Sequence, residues 1–175
     1  VAEIEREHAR LGRIVEQIAA VDAESRATAG LAEPGSQAAK VARLAQLEGI
    51  GERSAQVLVN EVFYRGFSNR REVGSYFGLT GTPYNSGQSE RDQGIGKAGN
   101  RRARALAVEL AWLWLRHQPD SALSHWSAGR VRDIEGRVRR ISIVAPARKL
   151  MVALWRFLAT GLVPTGARLR IVPHG

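Results

Sequence analysis

The sequence predicts a mainly α-helical fold that opens with a coiled-coil helix. Apolar residues recur at helical spacing along most of the chain, whereas strand-like alternation is almost absent. Clusters of glycine and proline separate the periodic segments and mark the turns. With 175 residues, of which 44% are hydrophobic and 25% charged, the chain can bury a core. We therefore expect one compact helical domain preceded by an arm.

The arm begins with apolar residues separated alternately by three and four positions, which is the spacing of a coiled-coil seam. The seam is Val1, Ile4, His8, Leu11, Val15, Ile18 and Asp22. Gly30, Pro34 and Gly35 then interrupt the helical pattern. We assign residues 1–37 to a coiled-coil arm and its turn, and expect it to pair in a longer helical hairpin or with a second copy.

A helix-hairpin-helix is predicted at about residues 40–64, from the run LEGIGERSAQVLVNEVF. Gly49 and Gly51 permit a tight turn whose amides, with the following helix N-terminus, can bind a phosphate oxygen. Ala55 lets the two helices approach closely. Such a hairpin contacts the nucleic-acid backbone without reading its sequence. The alternative is a packing unit with no role in binding.

The remaining helices follow from their caps and breaks. They run from Ser68 or Asn69 to Phe77, from Asn100 to Arg116, from Asp120 to about Ala128, and from near Pro146 to Gly161. Residues 38–163 thus form the helical domain, with Trp112, Trp114 and Trp155 expected in its core. Residues 164–175 are expected to be a loose tail.

The positive charge is concentrated in the second half of the chain. Residues 1–90 hold 10 Lys and Arg against 12 Asp and Glu, whereas residues 91–175 hold 16 against 5, within a net charge of +9. A basic half-chain with interleaved aromatic residues favours nucleic acid as the partner, although composition alone equally allows a solvated basic surface.

Several classes of protein and site are excluded or disfavoured. The chain has no cysteine, which excludes disulfides, zinc knuckles and thiol nucleophiles. No apolar run approaches the roughly 20 residues of a membrane span, so we expect no membrane partner and a cytoplasmic location. The carboxylates and four histidines form no cluster with metal-ligand spacing, so no metal or other cofactor is expected in this chain.

The segment TPYNSGQSERDQGIGKAGNRRAR, residues 82–104, carries the most informative pattern. Ser86 stands between Asn85 and Gly87, and basic residues follow up to the start of an apolar helix. Among these basic residues, we expect Arg91, Lys97, Arg101 and Arg104 to contact phosphate. Cations on the first turn oppose the helix dipole, which suggests an anion site. A hydroxyl beside it would suit covalent chemistry on a phosphodiester, but an ordinary Asn-Ser-Gly turn also explains Ser86.

Three motifs resemble a bacterial insertion-sequence transposase family. They are GTPYNSGQSERDQGIGKAGNRRAR, VELAWLWLRHQPDSAL and RRISIVAPARKLMVALWRFL, and the resemblance covers roughly residues 40–170. The family is the RuvC-like, serine-dependent class that includes the pilin-gene invertase. It implies an N-terminal RuvC-like domain with a metal-binding acidic tetrad, a coiled coil, and a helical domain whose serine links covalently to DNA. Some members use a bridge RNA as guide and work as homo-oligomers.

The resemblance assigns roles to particular residues. Its serine falls on Ser86, its Lys-x-Gly-Asn on Lys97, Gly99 and Asn100, and its Ala-Arg-Lys-Leu on the run that contains Arg148 and Lys149. We expect Asn100, Arg148 and Lys149 to contact nucleic acid, with DNA as the partner. We also expect Mg²⁺ in the RuvC-like domain absent from these residues, and no activity from this chain alone. The alternative is a non-catalytic helix-hairpin-helix module for DNA or RNA, or a decayed transposase remnant.

Overall fold

The computed structural model describes residues 1–30, 33, 35–86, 89–95, 98–131 and 142–170. The chain divides into two compact units, Val1–Ala39 and Lys40–Gly175. The predicted mainly α-helical fold is confirmed, because helices form nearly all of the regular structure in the described residues. None of those helices combines the length and the apolar character that crossing a membrane would need.

Helix α1, Ala2–Gly30, forms almost all of the first unit. Its acidic first turn, with Glu3 and Glu5, complements the helix dipole. The apolar seam is exposed to solvent: Ile4 is 75% exposed and Leu11 is 60% exposed. An exposed stripe of this spacing is typical of a helix that pairs with another helix.

The second unit begins with two helices joined by a turn. Helix α2 is Gln37–Ala45, and α3, Glu52–Val57, continues directly into a π-helical segment, Leu58–Phe63. Gly49 in the turn has φ of +84°, a conformation that glycine adopts at no steric cost. The predicted helical pair is therefore present, while its role in phosphate binding stays a prediction.

Helix α4, Arg70–Tyr76, begins and ends with the residues that the sequence indicated. The side chain of Asn69 accepts hydrogen bonds from the amides of Arg71 and Glu72, at 2.9 and 3.1 Å. Gly78, with φ of +61°, follows the last turn. Because an N-cap and a left-handed glycine act within one turn, local sequence is enough to set these bounds.

A β-hairpin follows α4, where the sequence suggested only a loop. Strand β1, Gly81–Ser86, pairs antiparallel with β2, Ser89–Ile95, with a register shift between Gly81 and Pro83. Two residues separate the strands, and the first of them is a glycine. A two-residue loop that begins with glycine is a hairpin signal, which outweighs the weak strand propensity of the flanking residues.

Three helices complete the second unit: α5, Arg101–His117, α6, Ala122–Val131, and α7, Val144–Thr160. Asn100 caps α5, as predicted, by accepting from the amide of Ala103 at 3.1 Å. Gly161, with φ of +76°, ends α7. Pro146 lies in the first turn of α7, where its missing amide hydrogen costs little.

The core lies among α2 to α7. Its largest fully buried side chains include Leu44, Leu58, Leu110, Trp114 and Leu150. Trp114 is buried as predicted, and its indole donates to Ser121 Oγ at 2.9 Å. The prediction for Trp112 is wrong, since its side chain is 49% exposed. It precedes a buried α5 position by two residues, so it projects from a different side of the helix.

The loose tail predicted from residue 164 is wrong for the described part of that segment. Gln118, fully buried, donates to the carbonyls of Glu48 and Arg168 and accepts from the Arg168 amide. A β-bridge joins Leu47 to Leu169, and the Arg170 amide donates to Gln46 at 2.7 Å. Backbone pairing and a buried amide thus fix residues 164–170, while 171–175 lie outside the described residues.

Candidate nucleic-acid interface

Ser86 is the last residue of β1, immediately before the connection to β2. Its cross-strand partner is Ser89, and the next pairs are Asn85 with Glu90 and Tyr84 with Arg91. The predicted nucleophile and the predicted phosphate contact at Arg91 therefore share one hairpin. Lys97 lies outside the described residues.

The base of the hairpin is held against the end of α4. Asn100 donates from its amide nitrogen to the Tyr76 carbonyl at 2.8 Å, and its Nδ2 donates to Tyr76 Oη at 3.2 Å. Tyr76 Oη in turn donates to the Glu61 carbonyl at 3.0 Å. A β-carbon at Gly99 would overlap the backbone of Tyr76 and Gly78. We call Glu61, Tyr76, Gly99 and Asn100 the Tyr76 junction.

The Tyr76 junction changes how Asn100 is understood. Both functional atoms of its side chain are engaged, Oδ1 as the cap of α5 and Nδ2 on Tyr76. The predicted contact of Asn100 with nucleic acid therefore competes with two protein hydrogen bonds. Its position holds the residues that follow β2 against α4, which explains its pairing with Gly99 in the sequence.

Cationic side chains surround this junction. Arg65 lies over the Tyr76 ring, 4.9 Å from its centroid, and Arg102 pairs with the Glu61 carboxylate at 3.0 Å. Arg101 is exposed and has no ion-pair partner among the described residues. Arg104 is half-buried and has an interaction of its own. Of these, Arg101 is the cation most available to an anion.

Arg148 lies on the other side of α4, at the start of the hairpin. A β-carbon at Gly74 would come within 2.9 Å of Arg148 Nε and 3.3 Å of the Thr80 methyl group. Arg148 is half-buried, yet its guanidinium has no hydrogen-bond or ion-pair partner in the described part of the chain. Since Thr80 leads directly into β1, an unpaired cation stands at the base of the strand that ends in Ser86.

Lys149, the next residue of α7, turns toward α6 instead. It is exposed, and its Nζ lies 4.4 Å from the centroid of the Trp126 ring. Arg130 approaches the same ring, with its Cζ 5.6 Å from the centroid. The sequence drew attention to neither Trp126 nor Arg130, although their spacing of four residues on a helix brings them together.

The Gly49 turn, residues 46–51, packs directly against α5. A β-carbon at Gly49 would lie 3.3 Å from the Leu113 carbonyl oxygen and 3.4 Å from His117 Cβ, so α5 occupies that side. Arg170 donates to the Ile50 carbonyl at 3.1 Å. Only Gly51 has open space beside its α-carbon among these turn glycines. Close packing is therefore one reason for glycine at position 49, and its contact with phosphate stays a prediction.

The described residues hold no group of three His, Asp or Glu side chains placed to bind a metal ion. His8 and His125 are exposed and stand on different helices. The groups that this region offers to a ligand include a hydroxyl, backbone amides and cations.

Comparison with known proteins identifies the domain. Residues 41–127 match the Transposase IS116/IS110/IS902 family. The chain carries a transposase domain of this family. The match spans the Gly49 turn, the hairpin and α5, and it therefore contains Ser86 and the whole Tyr76 junction.

Two proteins of Sinorhizobium fredii (strain NBRC 101917 / NGR234) are similar to the chain. "Putative transposase y4rJ" is 44% identical over 176 residues, which cover 97% of this chain and 44% of that protein. "Putative transposase y4qE" is 33% identical over 125 residues, covering 71% and 31%. The chain thus spans less than half the length of either relative. No solved structure matches it.

Proposed function

We propose that the chain is the serine-bearing part of a DNA transposase, in which Ser86 attacks a DNA phosphodiester. One observation carries the proposal. Strand β1, which ends in Ser86, starts beside Arg148, a half-buried arginine without a hydrogen-bond or ion-pair partner among the described residues. A cation that is partly removed from water and left unpaired is costly, unless an anion joins it. A phosphate brought to the hairpin would be such an anion.

The reaction conserves the energy of the phosphodiester. Ser86 Oγ forms a bond to phosphorus and loses its proton, while the bond from phosphorus to one DNA oxygen breaks and that oxygen takes up a proton. A DNA hydroxyl then attacks the serine phosphoester, which restores both the phosphodiester and the serine. Because each bond broken is matched by one formed, rejoining needs no nucleotide triphosphate.

The cations around the hairpin stabilise the charge that develops on the phosphate oxygens. Arg148 is at the entry to β1 and Arg101 is at the exit from β2, on the first turn of α5. The amides at the N-terminus of α5 add a partial positive charge. The Tyr76 junction supports this arrangement by holding Gly99 and Asn100, which follow β2, against the end of α4.

DNA is the proposed substrate, and the resemblance adds a guide RNA as a second nucleic-acid partner. A second copy of the chain is the proposed occupant of the exposed seam on α1, where Ile4, Leu11 and Val15 are all more than half exposed. Since the described residues lack a metal cluster, any Mg²⁺ would be bound by another part of the whole protein, and no step here is assigned to it.

A non-catalytic nucleic-acid-binding module is the second candidate. The observation that favours it is that the unpaired cations, Arg101 and Arg148, would bind a backbone phosphate whether or not a serine reacts. The two functions differ in one product, a covalent link between the protein and DNA.

A chimaera tests the first candidate. The chain replaces the stretch of y4rJ that it matches, and the purified protein is incubated with labelled DNA that carries the element ends. Denaturing gel electrophoresis then detects any protein–DNA adduct. We expect an adduct with the unmodified chimaera and with Ser89→Ala, and none with Ser86→Ala. An adduct that persists in Ser86→Ala would overturn the assignment, whereas binding without any adduct in all three would favour the non-catalytic module.

A further inference from the structure

We propose that Trp126, Arg130 and Lys149 form a second phosphate-binding site, for the backbone of a nucleic-acid strand that runs past α6 and α7. The inference rests on the proposed nucleic-acid function and adds a contact surface apart from the hairpin. We call the three residues the Trp126 cluster.

The Trp126 cluster lies on α6 and α7, and buried hydrogen bonds fix the orientation of α6. Ser121 and Ser124, on the inner side of α6, are buried and hydrogen-bonded to each other at 3.0 Å. Ser121 also accepts from the indole of Trp114 at 2.9 Å. This network holds α6 against α5, while α6 also packs on α7. The half-buried ring of Trp126 is thereby held next to Lys149.

Two cations converge on this one ring. Lys149 Nζ and Arg130 Cζ lie 4.4 and 5.6 Å from the centroid of the Trp126 ring. The negative faces of an indole attract cations, so the ring holds both side chains in place. The two charged groups can be no farther apart than the sum of these distances. Two adjacent phosphates of one strand can each accept hydrogen bonds of about 2.8 Å from one of these cations.

The Trp126 cluster carries two positive charges. No carboxylate pairs with Arg130 or Lys149 among the described residues. Asp120, the acid that precedes α6, is paired with Arg168 instead. Two like charges held close together repel, and an anion that binds both removes the repulsion. The indole N–H of Trp126, which has no acceptor in the described part of the chain, supplies a further donor.

The chemistry of the cluster selects a phosphodiester backbone over a base. Because two cations already lie near the Trp126 ring, little of its face is free to stack on a base. The donor groups of Trp126, Arg130 and Lys149 instead suit phosphate oxygens. DNA and RNA share this backbone. The binding of both polymers therefore has to be measured, since either strand can supply the phosphates.

The test measures binding of the 175-residue chain to a fluorescein-labelled DNA duplex and, separately, to an RNA hairpin, by fluorescence anisotropy over a range of salt concentrations. For the double variant Arg130→Ala/Lys149→Ala, we expect the slope of log K against log salt to become smaller by about 2, and affinity to fall about 10- to 100-fold at about 0.1 M salt. A loss on both polymers indicates a shared backbone site, and a loss on one polymer identifies the source of the phosphates.

The control is Arg13→Ala/Arg116→Ala, which removes the same charge from two exposed residues elsewhere. Trp126→Phe keeps an aromatic ring and should keep the slope, whereas Trp126→Leu keeps both charges without the ring and should lower it by less than the double variant does. An unchanged slope in the double variant, or an equal loss in the control, would overturn the cluster while leaving Ser86 untouched. Absence of binding by the unmodified chain would overturn both proposals.

Discussion

The Gly49 turn and the Tyr76 junction use glycine in the same way, yet they leave opposite surroundings. In each, a glycine allows a loop to lie directly against a helix: Gly49 against α5, and Gly99 against the end of α4. At the Gly49 turn, residues 168 and 170 then form hydrogen bonds with the backbone of Gln46, Glu48 and Ile50. At the Tyr76 junction, the hairpin extends from the contact and the neighbouring Arg101 and Arg148 have no protein partner among the described residues.

The difference separates a glycine needed for close packing, Gly49, from a glycine that also positions a neighbouring segment, Gly99. The Gly49 turn is contacted by Gln118, Leu169 and Arg170, which bond to Glu48, pair with Leu47 and bond to Ile50 respectively. The contacts of the Tyr76 junction pair neither Arg101 nor Arg148 with a protein group among the described residues. Packing explains the glycine at position 49, and a phosphate contact at this turn stays a prediction. The Gly-Asn pair at positions 99 and 100 instead positions the residues that follow β2.

Gly99→Ala should have the largest effect, and it tests the close backbone contact at the Tyr76 junction. Its β-carbon would overlap backbone atoms of Tyr76, Phe77 and Gly78, which cannot move as a side chain can. We expect a loss of unfolding free energy of at least about 3 kcal/mol, measured by urea denaturation followed by circular dichroism. A loss under 1 kcal/mol would mean that the junction is open.

Gly49→Ala should cost less, about 1–3 kcal/mol. Alanine would have to adopt φ of +84°, and its β-carbon would lie 3.3 Å from the Leu113 carbonyl oxygen. The same denaturation measurement applies. Nucleic-acid affinity, taken at a temperature where the variant is folded, should stay unchanged; a selective fall in affinity would return a binding role to this turn.

Tyr76→Phe removes one hydroxyl that joins three elements. The Glu61 carbonyl loses a donor and Asn100 Nδ2 an acceptor, while the rings of Phe67 and Tyr76 can still pack edge to face. We expect a loss of about 1 kcal/mol in unfolding free energy. In the y4rJ chimaera, adduct formation should slow at unchanged DNA affinity. Equal rates would show that the hydroxyl does not position the hairpin.

Gly51→Ala should have the smallest effect and sharpens the contrast within one turn. Gly51 caps α3 with φ of −77°, and nothing lies within 4 Å of its missing β-carbon. The lower entropy of the unfolded chain offsets the weaker capping by alanine, so stability should change by less than about 0.5 kcal/mol. If affinity for duplex DNA nevertheless falls, the predicted phosphate contact at Gly51 gains support.

The site was predictable from sequence only in part. Ser86 and its basic followers stood out by residue type, and Arg148 and Lys149 through the family resemblance. Which cations are free was not predictable, because Arg102 is paired with Glu61 across 41 positions of sequence and Arg148 lies against Gly74. Trp126 and Arg130 were four residues apart on a predicted helix, but only α7 brings Lys149 to the same ring.

Sequence by itself determined what one turn of chain can decide. The caps Asn69 and Asn100, the left-handed Gly161 and the helical character of most segments depend on neighbours a few residues away. Tertiary structure alone decided the closing of the Gly49 turn and the steric need for Gly99. Those contacts join backbone atoms far apart in the chain, such as Arg170 to Ile50, and their geometry exists only once the helices have packed.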